Sequence, residues 1–309
     1  MKSLSLIGMS KNAGKTTVLN ALLQYYSNDG TILGLTSVGL DGEDRDTVTH
    51  TNKPRIYVAT GTLFATAVSL LALCDATKEI IMVTGINTPL GEVIIARART
   101  DGYVQLAGPS INVQVAHMCE TLHKFGAETV IVDGAFSRKA LASPAVTENT
   151  ILCAGASLDK DMCRVIDETR HVHDLLKSEK ISLALSQFTA RFPLSAVNED
   201  GSVIGFEQAA LTDALANDLL KQGLRNALII AEDASKLLIN AETGSKLALR
   251  NIKIQVRNRT NLIAVTINPV SAYGYEFHAD DFKNALVAAI KTPVINVVDE
   301  GAMLYDLLA

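Results

Sequence analysis

Residues 8–17 of this chain read GMSKNAGKTT, and this stretch restricts the possible folds more than any other. Gly8, Gly14, Lys15 and Thr16 fit the spacing G-x-x-x-x-G-K-[ST] without a mismatch. The spacing has a mechanism only where a strand leads into it and a helix follows. The short apolar run at 4–7 predicts that strand. Leucines and valines on one helical face of residues 16–26 predict the helix.

Further apolar runs alternate with helical patterns along the whole chain. We predict strands at 32–38, 80–84, 93–99, 129–132, 150–154, 227–231, 252–256, 262–267 and 294–298, and helices at 113–125, 160–168 and 280–290. Such alternation is typical of an α/β fold with a mainly parallel, doubly wound sheet. The order predicts a P-loop nucleotide-binding domain at 1–170 and a second α/β region at 171–309. A turn-rich segment at 171–205 is the predicted boundary.

Composition excludes several classes of partner. The 309 residues carry a formal charge of -5, which leaves no basic surplus for a nucleic acid or an anionic membrane. Four widely spaced cysteines favour reduced thiols in the cytoplasm. Nineteen uncharged residues at 56–74 raise the question of a membrane span, but threonines, a serine and a glycine dilute them. We predict a buried helix at 63–74, and no signal peptide at the N-terminus.

The loop predicts a nucleotide site. Glycines at both ends let the backbone wrap around phosphate oxygens, and the following helix presents its positive end to them. Lys15 would contact the β- and γ-phosphates, and the Thr16 hydroxyl would bind Mg²⁺. The predicted nucleotide-binding residues are Gly8, Lys11, Asn12, Ala13, Gly14, Lys15, Thr16 and Thr17. The alternative is an ordinary glycine turn.

Two acidic features could complete a magnesium site. The run TVIVD ends in Asp133, at the strand end where an open parallel sheet gathers its ligands, so Asp133 is a second candidate Mg²⁺ ligand. Its alternative is a turn aspartate before Gly134. Four carboxylates crowd residues 41–46, a cluster that a nearby cation stabilises. Asp41 and Asp44 are the candidates for placing the attacking water or acceptor, and a solvated acidic loop is the alternative.

Other residues are weaker candidates. Asn268 follows a predicted strand, at a position where some P-loop folds recognise the base through an amide; a strand-ending turn explains it equally well. Arg138 and Lys139 follow Asp133, and we consider them as further phosphate contacts, although solvated basic residues are the simpler interpretation. His171 and His173 form H-x-H without a third ligand, which argues against a metal site.

A resemblance extends these expectations. GMSKNAGKTT is similar to the loop of dethiobiotin synthetase and of the molybdopterin-guanine dinucleotide adaptor proteins. In addition, GMSKNAGKTTVLN, TSVGLDGEDRD, QLAGPS and VDGAFSRKALASP resemble the small P-loop subunit found beside adenosylcobalamin-dependent lysine and ornithine aminomutases. This resemblance implies a reactivase that works with a MutS-like ATPase partner to eject damaged cobalamin. No D-x-H-x-x-G cobalamin motif occurs here, as expected if the mutase holds the cofactor.

Three functions therefore remain open. The first is an ATPase that remodels a partner enzyme. The second is an ATP-dependent small-molecule kinase or ligase, with Arg138 or the His171 region opposite the γ-phosphate. The third is an adaptor that binds nucleotide without turnover. The absence of N-K-x-D favours ATP over GTP. The P-loop branch to which the chain is similar often dimerises across the nucleotide face, so a homodimer is a further expectation.

Overall fold

The computed structural model describes residues 2–38, 56–134 and 142–308. Helices α1 to α8 are Lys15–Asp29, Asn112–Lys124, Met162–Leu176, Leu183–Thr189, Asp213–Lys221, Ala241–Leu249, Ala279–Ala289 and Val297–Asp306. Strands β1 to β9 are Lys2–Gly8, Leu33–Ser37, Ile56–Val58, Leu63–Ala67, Lys78–Thr88, Gly91–Ala98, Gly102–Val104, Thr129–Asp133 and Asn149–Gly155. Strands β10 to β18 are Glu179–Lys180, Leu194–Val197, Val203–Phe206, Leu211–Thr212, Leu228–Asp233, Leu237–Leu238, Lys253–Asn258, Leu262–Asn268 and Val294–Asn296. The fold is α/β.

The main sheet has nine strands in the order β18-β17-β9-β1-β8-β2-β4-β6-β5. The first seven run parallel to one another, while β6 and β5 are antiparallel to their neighbours. Between β8 and β9 the chain crosses from one side of β1 to the other. Open α/β sheets bind ligands beyond the carboxyl ends of their strands at such a reversal. The loop that follows β1 lies at this position.

A five-stranded second sheet has the order β10-β16-β14-β11-β12. Strands β17 and β18 belong to the main sheet, so the strands between residues 171 and 308 do not form a sheet of their own. Two short ribbons, β13-β15 and β3-β7, lie outside them. The division into units at residue 170 stays a prediction.

Buried side chains cover both faces of the main sheet. On one face Leu4 and Leu6 of β1 pack with Leu19 and Leu22 of α1. On the other face Val130 and Val132 of β8 belong to a cluster that continues into the second sheet. The central strands are therefore apolar on both sides, which is why their sequences read as continuous hydrophobic runs.

Most predicted elements are confirmed, with small shifts of their ends. One prediction is wrong: residues 63–74 are not a helix but strand β4 followed by a 3₁₀ turn, Val68–Leu73. Every residue of β4 is buried between β2 and β6, and a short run buried on both faces carries no periodicity that separates strand from helix. The predicted strand at 294–298 ends at Asn296, whose side chain caps α8.

No helix among the described residues is both long and apolar enough to cross a membrane. The cysteines are free thiols, and three of the four are buried: Cys74, Cys119 and Cys153. This matches the prediction of mostly buried, unpaired thiols.

Candidate functional site

The glycine-rich loop joins β1 to α1 in a tight left-handed conformation. Gly14 caps the helix with φ 94° and ψ 10°, and Asn12 also has a positive φ, 58°. A side chain at φ near +90° is strained, so Gly14 permits this approach to the helix. No side chain caps α1, and no acidic residue lies in its first turn. The helix therefore presents its N-terminal N–H groups and positive end to the loop, as an anion site requires.

Lys15, the first residue of α1, folds its side chain back over the end of β1. A Cβ built on Gly8 would lie 2.8 Å from Lys15 Nζ and 3.2 Å from the Ser10 carbonyl oxygen. Any other residue at position 8 would displace the amine. Gly8 therefore makes room for the lysine, and the ammonium group lies beneath the loop, where a bound phosphate would meet it.

Asp133 ends β8, directly beside the loop. Its neighbours in register are Leu6 on β1 and Ser37 on β2. The residue is half-buried, but its Oδ1 oxygen is buried and has no hydrogen-bond partner among the residues that the structure describes. Burial raises the pKa of Asp133 to about 6, and the charge of Lys15 opposes that shift. A carboxylate oxygen left unsatisfied in the fold is suited to bind a cation.

These residues fit magnesium and nucleotide. Among the described residues no group of three His, Cys, Asp or Glu forms a metal cluster. A magnesium ion bound to phosphate does not need such a cluster, because it takes one or two protein ligands together with phosphate oxygens and waters. Thr16 is half-buried in the first turn of α1, Asp133 ends the neighbouring strand, and Ser10 Oγ in the loop is a second buried polar atom without a partner.

Strand β9 supports the loop from the side opposite to β8. The Met9 amide donates to the Cys153 carbonyl at 2.9 Å. A Cβ on Gly155 would lie 2.9 Å from the Cα of Ala13. Burial raises the pKa of the Cys153 thiol to about 11. The charge of Lys15 lowers this pKa and the charge of Asp133 raises it, so both groups lie near the end of β9. The backbones of β9 and the loop are therefore in close contact.

Asn268, at the end of β17, holds the loop in place. Its Nδ2 donates to the Asn12 carbonyl at 3.1 Å, and its Oδ1 accepts from the Val270 amide at 3.2 Å. A Cβ on Gly14 would lie 2.9 Å from the Asn268 Cβ. The interpretation as a strand-ending turn is confirmed, and that turn touches the loop; recognition of a base by the Asn268 amide stays a prediction.

Of the candidates that the structure describes, it brings together those at the strand ends and in the loop, and it places the His171 region elsewhere. Lys11 is half-buried and Thr17 exposed within the same loop and turn. Asp41, Asp44, Arg138 and Lys139 lie outside the described residues. His171 Nε2 donates to the Ile239 carbonyl at 2.9 Å, and buried His173 forms hydrogen bonds with Thr292 and Asp174.

His171 lines a groove of about 1000 Å³ between α3, α6 and β16. Lys177, which also lines it, donates to the carbonyl of Leu262, the first residue of β17, whereas Asn268 at the loop is the last. Seven residues of strand span roughly 20 Å, so the groove lies at the edge of the sheet opposite to the loop. The His171 region does not face the γ-phosphate position.

Three residues at the edge of the sheet that carries the loop were not predicted from the sequence: Ser10, Gly155 and Gly108. A Cβ on Gly108 would lie 2.0 Å from the Ser37 carbonyl oxygen, and its amide donates to Ser37 Oγ at 3.2 Å. The segment QLAGPS therefore crosses the carboxyl end of β2, beside Asp133. Its glycine was the available signal, but a glycine alone does not reveal which strand the backbone approaches.

Comparisons with protein-family models, curated proteins and solved structures found no match to this chain.

Proposed function

We propose that the chain binds a nucleoside triphosphate with Mg²⁺ in the loop at residues 8–17 and hydrolyses it, with ATP as the expected nucleotide. One observation carries the proposal: the buried Oδ1 of Asp133, which has no partner in the described part of the chain, lies at the strand end beside Lys15 and the loop that leads into α1. A glycine turn with only a structural role needs neither a lysine folded back over its first glycine nor a buried carboxylate oxygen beside it.

Each residue then has a role in positioning charge. The loop amides from Lys11 to Thr17 would cradle the phosphates, and Lys15 would neutralise charge that spreads over the transferred phosphoryl group. Thr16 and Asp133 would hold magnesium, which supplies Lewis-acid stabilisation of the phosphate oxygens when bound. Asp41 or Asp44 would orient the attacking water.

The partner proposal rests on the sequence resemblance described above. We propose that hydrolysis drives a conformational change that remodels a cobalamin-dependent aminomutase, together with a MutS-like ATPase. Such remodelling requires that the two nucleotide states differ in affinity for the partner. The kinase or ligase alternative gains no support from the His171 groove, because that groove lies at the opposite edge of the main sheet.

The test is phosphate release from Mg-ATP with no acceptor added, using the wild type and Lys15→Ala, with and without a cobalamin-inactivated aminomutase. We expect release that the substitution abolishes and the inactivated aminomutase stimulates. Release without stimulation would retain the ATPase and reject this partner. Nucleotide binding without release in every mixture would reject hydrolysis and favour a kinase, a ligase or an adaptor.

A further inference from the structure

We infer that the nucleobase stacks on Tyr273, in a turn formed by residues 268–275, and that the site therefore discriminates weakly between adenine and guanine. This inference rests on the proposed function, because it assumes that the phosphates lie in the 8–17 loop. It assigns the base to a residue outside that loop and differs from recognition by the Asn268 amide.

The direction of the base follows from the strand order. Asp133 and the end of β2 lie on one side of β1, and that side would hold the cation with the terminal phosphates. Strands β9 and β17 lie on the other side. A nucleotide with its β- and γ-phosphates beside Lys15 and Asp133 must extend its ribose and base away from the cation. The base therefore leaves the loop toward the ends of β9 and β17.

The 268–275 turn is fixed to this side by four hydrogen bonds. Asn268 Nδ2 donates to the Asn12 carbonyl at 3.1 Å, and the Ala156 amide donates to the Asn268 carbonyl at 2.9 Å. The Ala272 amide donates to Ser157 Oγ at 3.0 Å, and the Tyr275 hydroxyl to the Ala156 carbonyl at 2.7 Å. The turn is therefore a fixed wall beside the loop.

Tyr273 lies at the tip of this wall. It is 56% exposed, and Val270 in the same turn is 55% exposed, whereas the hydroxyl of Tyr275 is bonded inward. Two exposed apolar surfaces on a fixed turn form a platform for a flat ring. An aromatic side chain binds any nucleobase through its π face, and by alanine substitution such stacking commonly changes affinity about tenfold.

The polar side chains of the turn hold its own backbone. Asn268 Oδ1 accepts from the Val270 amide, and Ser271 Oγ accepts from the Tyr273 amide at 3.1 Å. Ser157 Oγ, at the end of β9, accepts from Ala272. Stacking therefore contributes more to base binding than hydrogen bonds to the base edge do. Since both purines stack well, we expect dissociation constants for Mg-ATP and Mg-GTP within about fivefold of each other.

The first experiment measures dissociation constants of Mg-ATP, Mg-GTP and Mg-tripolyphosphate by calorimetry. Tyr273→Ala should weaken both nucleotides about tenfold and equally, with tripolyphosphate binding unchanged, while Tyr273→Phe should bind like the wild type. Tyr103→Ala is the matched control, because Tyr103 is 44% exposed on β7 near the far edge of the main sheet. It should change nothing.

A second experiment reads stacking directly. The chain contains no tryptophan, so Tyr273→Trp introduces a single fluorophore. Mg-ATP and Mg-GTP should quench its emission, and Mg-tripolyphosphate should not. This readout does not depend on whether Tyr273→Ala folds well.

The outcomes separate the two proposals. Failure of the wild type to bind either ATP or tripolyphosphate would reject the proposed function. Binding of ATP that Tyr273→Ala leaves unchanged, or indole emission in Tyr273→Trp that does not respond to nucleotide, would reject the stacking platform alone. A preference of more than about fiftyfold for one purine would also reject it, since a stacked base without edge contacts cannot give such selectivity.

Discussion

At the scale of single residues, Lys15 is the sharpest test of the phosphate site. We expect Lys15→Ala to remove most of the stabilisation that Mg-ATP gives against unfolding, because the ammonium group over Gly8 supplies the charge that meets the phosphates. A ligand at about a hundred times its dissociation constant stabilises a protein by about 2.7 kcal/mol, so the loss is measurable as a smaller shift in melting temperature.

The control for Lys15 is Lys124→Ala, which removes a lysine from the last turn of α2, far from the loop in sequence. It should retain the full nucleotide-induced shift. The melting temperature of Lys15→Ala without ligand should stay near that of the wild type. A full Mg-ATP shift in Lys15→Ala would contradict the assignment of the loop.

Asp133 gives a prediction in pH. Burial holds its pKa near 6 in the folded protein against 3.8 for an exposed aspartate. The folded state therefore keeps a proton that the unfolded state has lost, and the free energy of unfolding falls as pH rises from about 4 to about 6. In metal-free buffer, Asp133→Asn should be more stable than the wild type by about 3 kcal/mol at pH of about 7.5 and nearly equal to it at pH of about 4.

Urea unfolding at the two pH values measures this difference. If Asp133→Asn is less stable than the wild type at the higher pH, the ionised carboxylate stabilises the fold without a cation. That result would contradict its assignment as a cation ligand. Asp133→Asn should also weaken the dependence of nucleotide binding on magnesium, and a magnesium titration identical to that of the wild type would contradict its role.

Residue types and spacing predicted Lys15 and Asp133 at one edge of the sheet, since Lys15 belongs to the loop after the predicted strand at 4–7 and Asp133 follows the predicted strand at 129–132. The same sequence could not give the contacts that Gly155 and Asn268 make with the loop backbone. Those contacts depend on which strands become neighbours of β1, and strand neighbours are set by packing of distant segments. Local patterns carry no information about that pairing.

At the scale of elements, helix α1 has a left-handed glycine at each end. Gly14 has φ 94° and Gly30 has φ 76°, but only Gly14 is crowded, because a Cβ there would lie 2.9 Å from the Asn268 Cβ. Gly30→Ala should cost about 1 kcal/mol through backbone strain and leave nucleotide affinity unchanged. Gly14→Ala should cost more and also abolish Mg-ATP protection.

Thermal unfolding of the two glycine variants with and without Mg-ATP separates backbone strain from loss of the site. Equal melting temperatures and equal nucleotide shifts in Gly14→Ala and Gly30→Ala would show that the contact with Asn268 does not shape the loop. Gly30→Ala measures the cost of the left-handed backbone alone, because a Cβ at that position meets no other atom of the described residues.

The error at residues 63–74 also belongs to this scale. Leucine and alanine there favour a helix locally, but β2 and β6 leave a gap of one strand that Leu63–Ala67 fills with every side chain buried. Tertiary pairing overrides a weak local preference in such a segment. The amphipathic helices α1 and α2 showed no such conflict, because their apolar faces match their burial.

At the scale of the whole molecule, the α/β class was readable from alternating patterns, but the strand order was not. Strands β17 and β18 lie far along the chain from β9 and still complete the same sheet, while five of the strands between Glu179 and Asn258 form a different one. One hydrophobic cluster spans both sheets, so the apolar runs of the two parts look alike in sequence.

A buried hydrogen bond joins the two sheets and gives the last prediction. Ser143 Oγ, in the segment that leads from β8 to β9, donates to Asp233 Oδ2 at 2.7 Å, and Asp233 ends β14 of the second sheet. Asp233 is 4% exposed and also accepts from the Ser235 amide at 2.8 Å.

Hydrogen bonds to a charged group contribute about 1.5–3 kcal/mol, so Ser143→Ala, Asp233→Ala and the double variant should show a coupling energy of about 1–2 kcal/mol in urea unfolding. Additive effects of the two substitutions would mean that the bond does not tie the sheets together. Ser245→Ala, which removes an exposed hydroxyl bonded within α6, is the control and should add its small effect independently to either substitution.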